Sequence, residues 1–251
     1  SMRDWYVYDW DLQGLPAQFH VDLKYVEEFD TLGDFTTLMY ISCYPKKAEA
    51  QAFSAREKRA LDSVSKECER ILGEHCAFVG YIDILAQRRY YFYTSDARLL
   101  VPLMAYCAEE PTLRLECFKT EEPNRQTYYR LLVPDNAKRQ SVDNAAYIES
   151  LRQRGDDTAA YRRVNLHFYF PSASGRTLFG ENAKSLGFAI GKTDYIPERE
   201  PSYYIVLHTI SSLDQESITE LTTKAIYAAE TYGGVMEHFD SAFIQKRGIF
   251  G

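Results

Sequence analysis

The chain has 251 residues, a net charge of −7, and 45% hydrophobic and 26% charged residues, a balance that excludes a disordered chain and leaves enough apolar mass for two domains without metal or disulfide support. Residues 1–140 carry 18 basic against 22 acidic side chains and the remainder 11 against 14, so neither half supplies the positive field that unaided duplex DNA binding needs. With 20 tyrosines and 14 phenylalanines, aromatic rings that pack well on pleated surfaces point to abundant strands.

Trp5 to Asp11 alternates aromatic and aliphatic residues before Gly14 and Pro16, and Ala17 to Val26 alternates again, which predicts an N-terminal hairpin. Phe35 to Cys43 reads as the third strand, stopped at Tyr44-Pro45. Ser54-Ala55-Arg56-Glu57 has capping-box spacing, and the helix it opens runs to about His75 with Leu61, Val64, Cys68 and Ile71 in one stripe. Ala77 to Leu85 and Arg89 to Thr94 form a strand pair, followed by a helix over Asp96 to Glu109 and a strand over Thr112 to Lys119. An amphipathic segment, Asn124 to Leu132, leads into the polar stretch Pro134 to Lys138, where a boundary disturbs few contacts.

The second half opens with a helix, Val142 to Arg154, closed by Gly155, whose freedom at positive φ suits a helix end. Arg163 to Phe170 is then a strand, with Val164, Leu166, Phe168 and Phe170 on one face, and a helix from about Ser174 to Leu186 follows. Strands Phe188 to Tyr195 and Ser202 to Thr209, the helix Asp214 to Tyr232 and a last strand Val235 to Phe243 complete the order. Each half thus reads strand–helix–strand–strand–helix–strand. The expected fold class is α+β, two ferredoxin-like (βαββαβ) sandwich domains at 1–138 and 139–251, the first with an added N-terminal β-hairpin and each with one open sheet face.

The second half resembles the RraB-like family of ribonuclease E regulators, through Gly155-Asp156-Asp157, Arg162 or Arg163, Phe168-Tyr169-Phe170-Pro171, Leu186-Gly187-Phe188 and Tyr232-Gly233-Gly234. The first half resembles the domain-of-unknown-function 695 family, through the Trp5 strand, the Pro16-led strand, Arg89 to Tyr93, and Tyr129 with Leu132 to Pro134. Where that family tends to show Asp-Pro-x-Trp, this chain has Glu122-Pro123-Asn124-Arg125. The resemblance implies a non-catalytic regulator, since RraB-like proteins act by binding the flexible scaffold region of the endoribonuclease.

Enzyme motifs are not assembled. His20, His75, His167, His208 and His238 stand outside any HExxH frame or zinc-type Cys spacing. By alternation His167, His208 and His238 fall on strands of the second sheet and are free to share its open face, where polar residues on a solvated surface are preferred over a metal triad; no metal and no cofactor are expected. Gly191-Lys192-Thr193 lacks the glycine five residues upstream that a phosphate loop needs, and Ser172 or Ser174 reads as a helix cap.

The candidate binding residues are Arg89, Tyr91 and Tyr93, where cations and alternating rings could stack bases or grip a peptide, then Asp156, Asp157 and Arg162 at a helix–strand junction, and His167 and His208 on the open face. Catalytic residues: none. A protein-binding regulator or adaptor is the first expectation, a single-stranded RNA-binding module the second and an unrecognised hydrolase the third. Five cysteines, odd in number and without a CxxC pair, with no apolar run near 18 residues and no leader pattern, lead to the expectation of a cytoplasmic protein that enters no membrane.

Overall fold

The N-terminal hairpin forms as its alternation predicts: β1 (Trp5–Leu12) pairs antiparallel with β2 (Leu15–Asp22) around Gln13 and Gly14, both at positive φ, the turn geometry that matches strand twist. The computed structural model describes residues 2–248, which divide into two units between Pro134 and Asp135.

In the first unit a short α1 (Tyr25–Glu28) precedes β3 (Thr37–Pro45), α2 (Ala55–Leu72), β4 (Ala77–Ile84), β5 (Gln87–Thr94), α3 (Leu100–Glu109) and β6 (Leu113–Glu121). The antiparallel sheet has the order β1-β2-β4-β5-β3-β6. Without the hairpin this is the ferredoxin-like order, with the first and third strands of the βαββαβ unit at the centre. Ser54 opens α2 with a full capping box, its hydroxyl accepting from the Glu57 N–H at 3.1 Å while the Glu57 carboxylate accepts from the Ser54 N–H at 2.9 Å. The helix stripe Leu61, Val64, Cys68 and Leu72 then packs on Met39, Ile41, Cys43, Tyr90 and Phe92 of the central strands.

The opposite face of this sheet is not open. Tyr93, fully buried, meets Phe29 edge-on at 5.4 Å, and Phe29 meets Tyr128 at 5.3 Å. Tyr128 comes from the wide helical turn Thr127–Leu132, closed by an i to i+5 bond from the Val133 N–H to the Tyr128 carbonyl at 2.9 Å. The amphipathic segment expected at Asn124 to Leu132 is therefore a lid, which its apolar side requires.

The second unit comprises α4 (Asn136–Gln153), β7 (Arg162–Phe170), α5 (Ala173–Ser185), β8 (Ala189–Tyr195), β9 (Tyr203–Ser211), α6 (Gln215–Glu230) and β10 (Val235–Ser241). Its antiparallel sheet has the order β10-β7-β9-β8, again ferredoxin-like. Val164, Leu166, Phe168 and Phe170 of β7, with Ile205 and Leu207 of β9, are buried together with Phe179 of α5 and Ile218, Ala225 and Ala229 of α6. Helix α4 begins six residues before the predicted Val142, because Asp135 accepts from the Lys138 N–H at 2.9 Å and caps it within the supposed loop. Helix α4 joins α6 through buried Asn144, whose amide donates to the Thr222 hydroxyl at 3.0 Å.

The end of α4 sets up the strongest polar contact in the unit. Gly155, at φ 98°, sends its N–H to the Arg152 carbonyl at 3.0 Å, and the Asp156 N–H reaches Leu151 at 2.9 Å, the paired bonds of a Schellman end. That turn aims Asp156 at Arg162, which donates to both carboxylate oxygens at 2.8 and 2.9 Å. Arg162 also donates to the carbonyls of Asp157 at 2.6 Å and Ala242 at 3.0 Å, so one guanidinium ties the α4 turn, the start of β7 and the chain after β10 together. Asp156 and Arg162 are only 2% and 6% exposed. Asp156→Ala would leave a buried cation uncompensated, and urea unfolding is expected to show a loss of about 3 kcal/mol or more.

Asp214 caps α6, accepting from the Ser217 N–H at 2.9 Å. The Ser212 hydroxyl, and then the Ser217 N–H and hydroxyl, hold its carboxyl below the usual range. A depressed folded pKa contributes stability that is present above the unfolded value and lost as pH falls through the folded one, here below about pH 4. Asp214→Asn retains a cap acceptor but does not titrate, so its deficit against the parent, read by urea unfolding, is expected to be larger at pH 6 than at pH 2.

Candidate functional site

The open face of the second sheet gathers the polar side chains of this unit. Strand alternation on β7 sends Arg163, Asn165, His167 and Tyr169 away from the helices, and the antiparallel register sets His167 opposite Val206 of β9 and His238 of β10. On β9, Tyr204, Val206, His208 and Ile210 share that side. On β10 the register shifts between Met236 and His238, so Glu237 is the extra residue of a bulge. Phe239 turns inward, while His238 and Asp240 turn outward beside His167.

His167 lies at the centre of this face. Its Nε2 is 2.6 Å from Asp240 Oδ2 and its Nδ1 is 2.6 Å from the Tyr204 hydroxyl. An ionised carboxylate only accepts, so in the neutral ring Nε2 carries the hydrogen and Nδ1 accepts from Tyr204. The His238 ring stacks on His167 with centroids 4.3 Å apart, its Nδ1 3.2 Å from Glu237 Oε1 and its Nε2 3.7 Å from Asp240 Oδ2. Asn165 donates to the other Asp240 oxygen at 2.9 Å. Partial burial pushes the Asp240 carboxyl up, and the hydrogen bonds from Asn165 and His167 outweigh it, so the group titrates below its ordinary range. At the upper end of the face, Arg199 lies 3.4 Å from the Tyr169 ring centroid and pairs with Glu237.

The residues singled out from sequence are dispersed. His208 is on the open face, half-buried opposite Asn165 and Ala189, and takes no part in the His167 cluster. Tyr93 is buried, donating from its hydroxyl to Glu122 at 2.6 Å and accepting from the Tyr128 N–H at 3.2 Å, so it is a core ring and not a stacking platform. Tyr91 is 4% exposed, beside Arg89 at a cleft of about 850 Å³ lined also by Tyr44, Ile82 and Ile84. Arg89 is held by Ser42 at 3.1 Å and lies 5.2 Å from the Tyr40 ring. Asp156 and Arg162 are consumed in their buried pair, while Asp157 accepts from the Ala159 N–H at 3.3 Å in the adjoining turn, so that charged group is structural. Of the two serines weighed as a cap, Ser172 accepts the Gly175 N–H, at 3.0 Å.

Glu122 and Arg125 are likewise internal, with the exposed Pro123 and Asn124 between them. Glu122 accepts from Tyr93 and from the Thr127 hydroxyl at 2.6 Å each. Arg125 donates to the Phe35 carbonyl at 2.7 Å with its guanidinium 4.3 Å from the Phe29 ring. Both are buried, which turns a possible site into a latch for the lid over Tyr93.

Asn165, Tyr204, Glu237, His238 and Asp240 were not among the predicted site residues. Two i, i+2 pairs, Asn165-x-His167 and His238-x-Asp240, were visible and place their members on one face of each strand. What joins them is the β7–β10 pairing and its bulge, which period alone does not reveal.

The second unit is thus an antiparallel ferredoxin-like sandwich with a hydrogen-bonded polar face. Its sequence is similar to a known family: residues 142–240 match the family described as Regulator of ribonuclease activity B. That span contains the whole βαββαβ set up to Asp240. No curated protein matches the chain. Among solved structures, an unknown protein from Galdieria sulphuraria aligns over 82% of this chain and 98% of its own, at 8% identity and a TM-score of 0.22, too low to carry any argument.

Proposed function

We propose that the protein is a non-catalytic regulator that binds another protein, an endoribonuclease, through the open face of its RraB-like unit. The observation that carries this reading is the match of residues 142–240 to a family of ribonuclease regulators. The face has the composition of a recognition surface: Val235, 41% exposed, lies opposite Tyr169 at one end and Ile210, 64% exposed, lies opposite Arg163 at the other, with Tyr204 and a set of polar groups already oriented by hydrogen bonds between them. Preorganised side chains lose little freedom on binding, which favours capture of an extended, flexible segment.

The first unit, for which we retain the resemblance to the domain-of-unknown-function 695 family, supports the reading by what it buries. Tyr90 to Tyr93 of its aromatic strand and the latch residues Glu122 and Arg125 are internal. All five cysteines are free, in keeping with a reducing, cytoplasmic setting. Among the described residues no helix is long and apolar enough to cross a membrane.

The test uses the full chain titrated against the endoribonuclease of its own source, with binding followed by calorimetry and cleavage followed on a labelled RNA. Saturable binding and a changed cleavage rate are expected, weakened at least tenfold by Val206→Arg with Ile210→Arg at unchanged melting temperature. Absence of binding, or binding indifferent to those substitutions, refutes the proposal. Retention of the RNA by the chain alone would instead favour the RNA-binding alternative.

A further inference from the structure

The geometry of the His167 cluster points to a second property: we propose that His167 Nε2, His238 Nε2 and Asp240 Oδ2 form a binding site for a divalent first-row transition-metal ion. This inference stands apart from the regulator reading and its test requires no partner protein.

One donor atom from each of the three residues lies within 4.8 Å of the other two. Ligands at about 2.1 Å from one ion are separated by roughly 3.0–3.4 Å in octahedral or tetrahedral geometry. The observed separations straddle that range, with His167 Nε2 at 2.6 Å and His238 Nε2 at 3.7 Å from Asp240 Oδ2. An ion entering between them replaces the direct His167–Asp240 bond and draws the exposed His238 ring inward. Two imidazoles and one carboxylate are a donor set suited to zinc, cobalt, nickel or iron, and they leave open positions for water or for a side chain from outside.

The groups behind the three donors are the second observation. Each donor's other polar atom is already held: His167 Nδ1 by the Tyr204 hydroxyl at 2.6 Å, His238 Nδ1 by the Glu237 carboxylate at 3.2 Å, and Asp240 Oδ1 by the Asn165 amide at 2.9 Å. His238 Nδ1–H facing Glu237 leaves that ring's Nε2 unprotonated, whereas His167 changes tautomer on binding an ion: the proton moves from Nε2 to Nδ1, which then donates to the Tyr204 hydroxyl, the orienting shell that metal-bound histidines commonly have. These outer contacts leave His167 Nε2, His238 Nε2 and Asp240 Oδ2 facing one another, the first and last joined by the hydrogen bond that an ion would replace. The bulge at Glu237 supplies the second of these partners, because without it Glu237 would face the helices.

The test is calorimetric titration of the untagged full chain with Zn²⁺, together with the visible absorption of a Co²⁺-loaded sample, which reports coordination directly. One ion per chain is expected. His238→Ala and Asp240→Asn should each weaken binding at least tenfold and abolish the cobalt spectrum, with melting of the metal-free chain unchanged for the exposed His238 variant. His75→Ala, in the other unit, should bind as the parent does. No saturable binding, or binding that survives both His238→Ala and Asp240→Asn, would overturn the proposal.

Discussion

Strand β7 is the constraint on which the second unit depends. It is hydrogen-bonded on both sides, to β9 and to β10, so its side chains alternate without freedom to slip: a shift of one residue would send Val164, Leu166, Phe168 and Phe170 to solvent. Burying those four fixes the register by the largest apolar term available, several times the roughly 2 kcal/mol of a single buried side chain. The same register leaves Asn165, His167 and Tyr169 outward. The polar open face is therefore a by-product of core packing, and its polar groups are positioned by residues on the other side of the sheet.

The Asp156–Arg162 pair works on the edges of that arrangement. It joins the end of α4, the first residue of β7 and the chain beyond β10 through a bidentate contact and two carbonyl bonds. A buried ion pair is a poor source of net stability, because desolvation offsets most of its attraction, but it is intolerant of a missing partner. Its service here is geometric. It holds β10 where the bulge at Glu237 brings His238 and Asp240 beside His167.

Apart from α1, which replaces the end of the strand expected over Ala17 to Val26, the order of the main elements was legible, because period-2 strands and capped helices carry local signals: the Ser54 capping box, the Gly155 helix end and the β7 alternation all appear as read. Two kinds of feature were not. Residues that cover a sheet face are chosen by contacts distant in sequence, so Tyr93, attractive near Arg89, is buried against Phe29 and the turn at Thr127–Leu132, and Tyr91 is buried with its ring near Tyr40. Likewise Asp156 and Arg162 resemble a binding group in one dimension and form a closed pair in three. The His167 cluster was half visible, since His167 was singled out while its partners on β9 and β10 depend on pairing and on an irregularity that no periodicity announces.

The claim at the centre of this account is that the open face of the second sheet is where the protein meets its partner. Imidazole proton resonances of the full chain, assigned by single substitutions and followed as the endoribonuclease is added, test it most directly. The account predicts shifts or broadening at His167, His208 and His238, with His20 and His75 in the first unit unchanged. Complex formation that moves His20 or His75 and leaves the three open-face histidines untouched would contradict it.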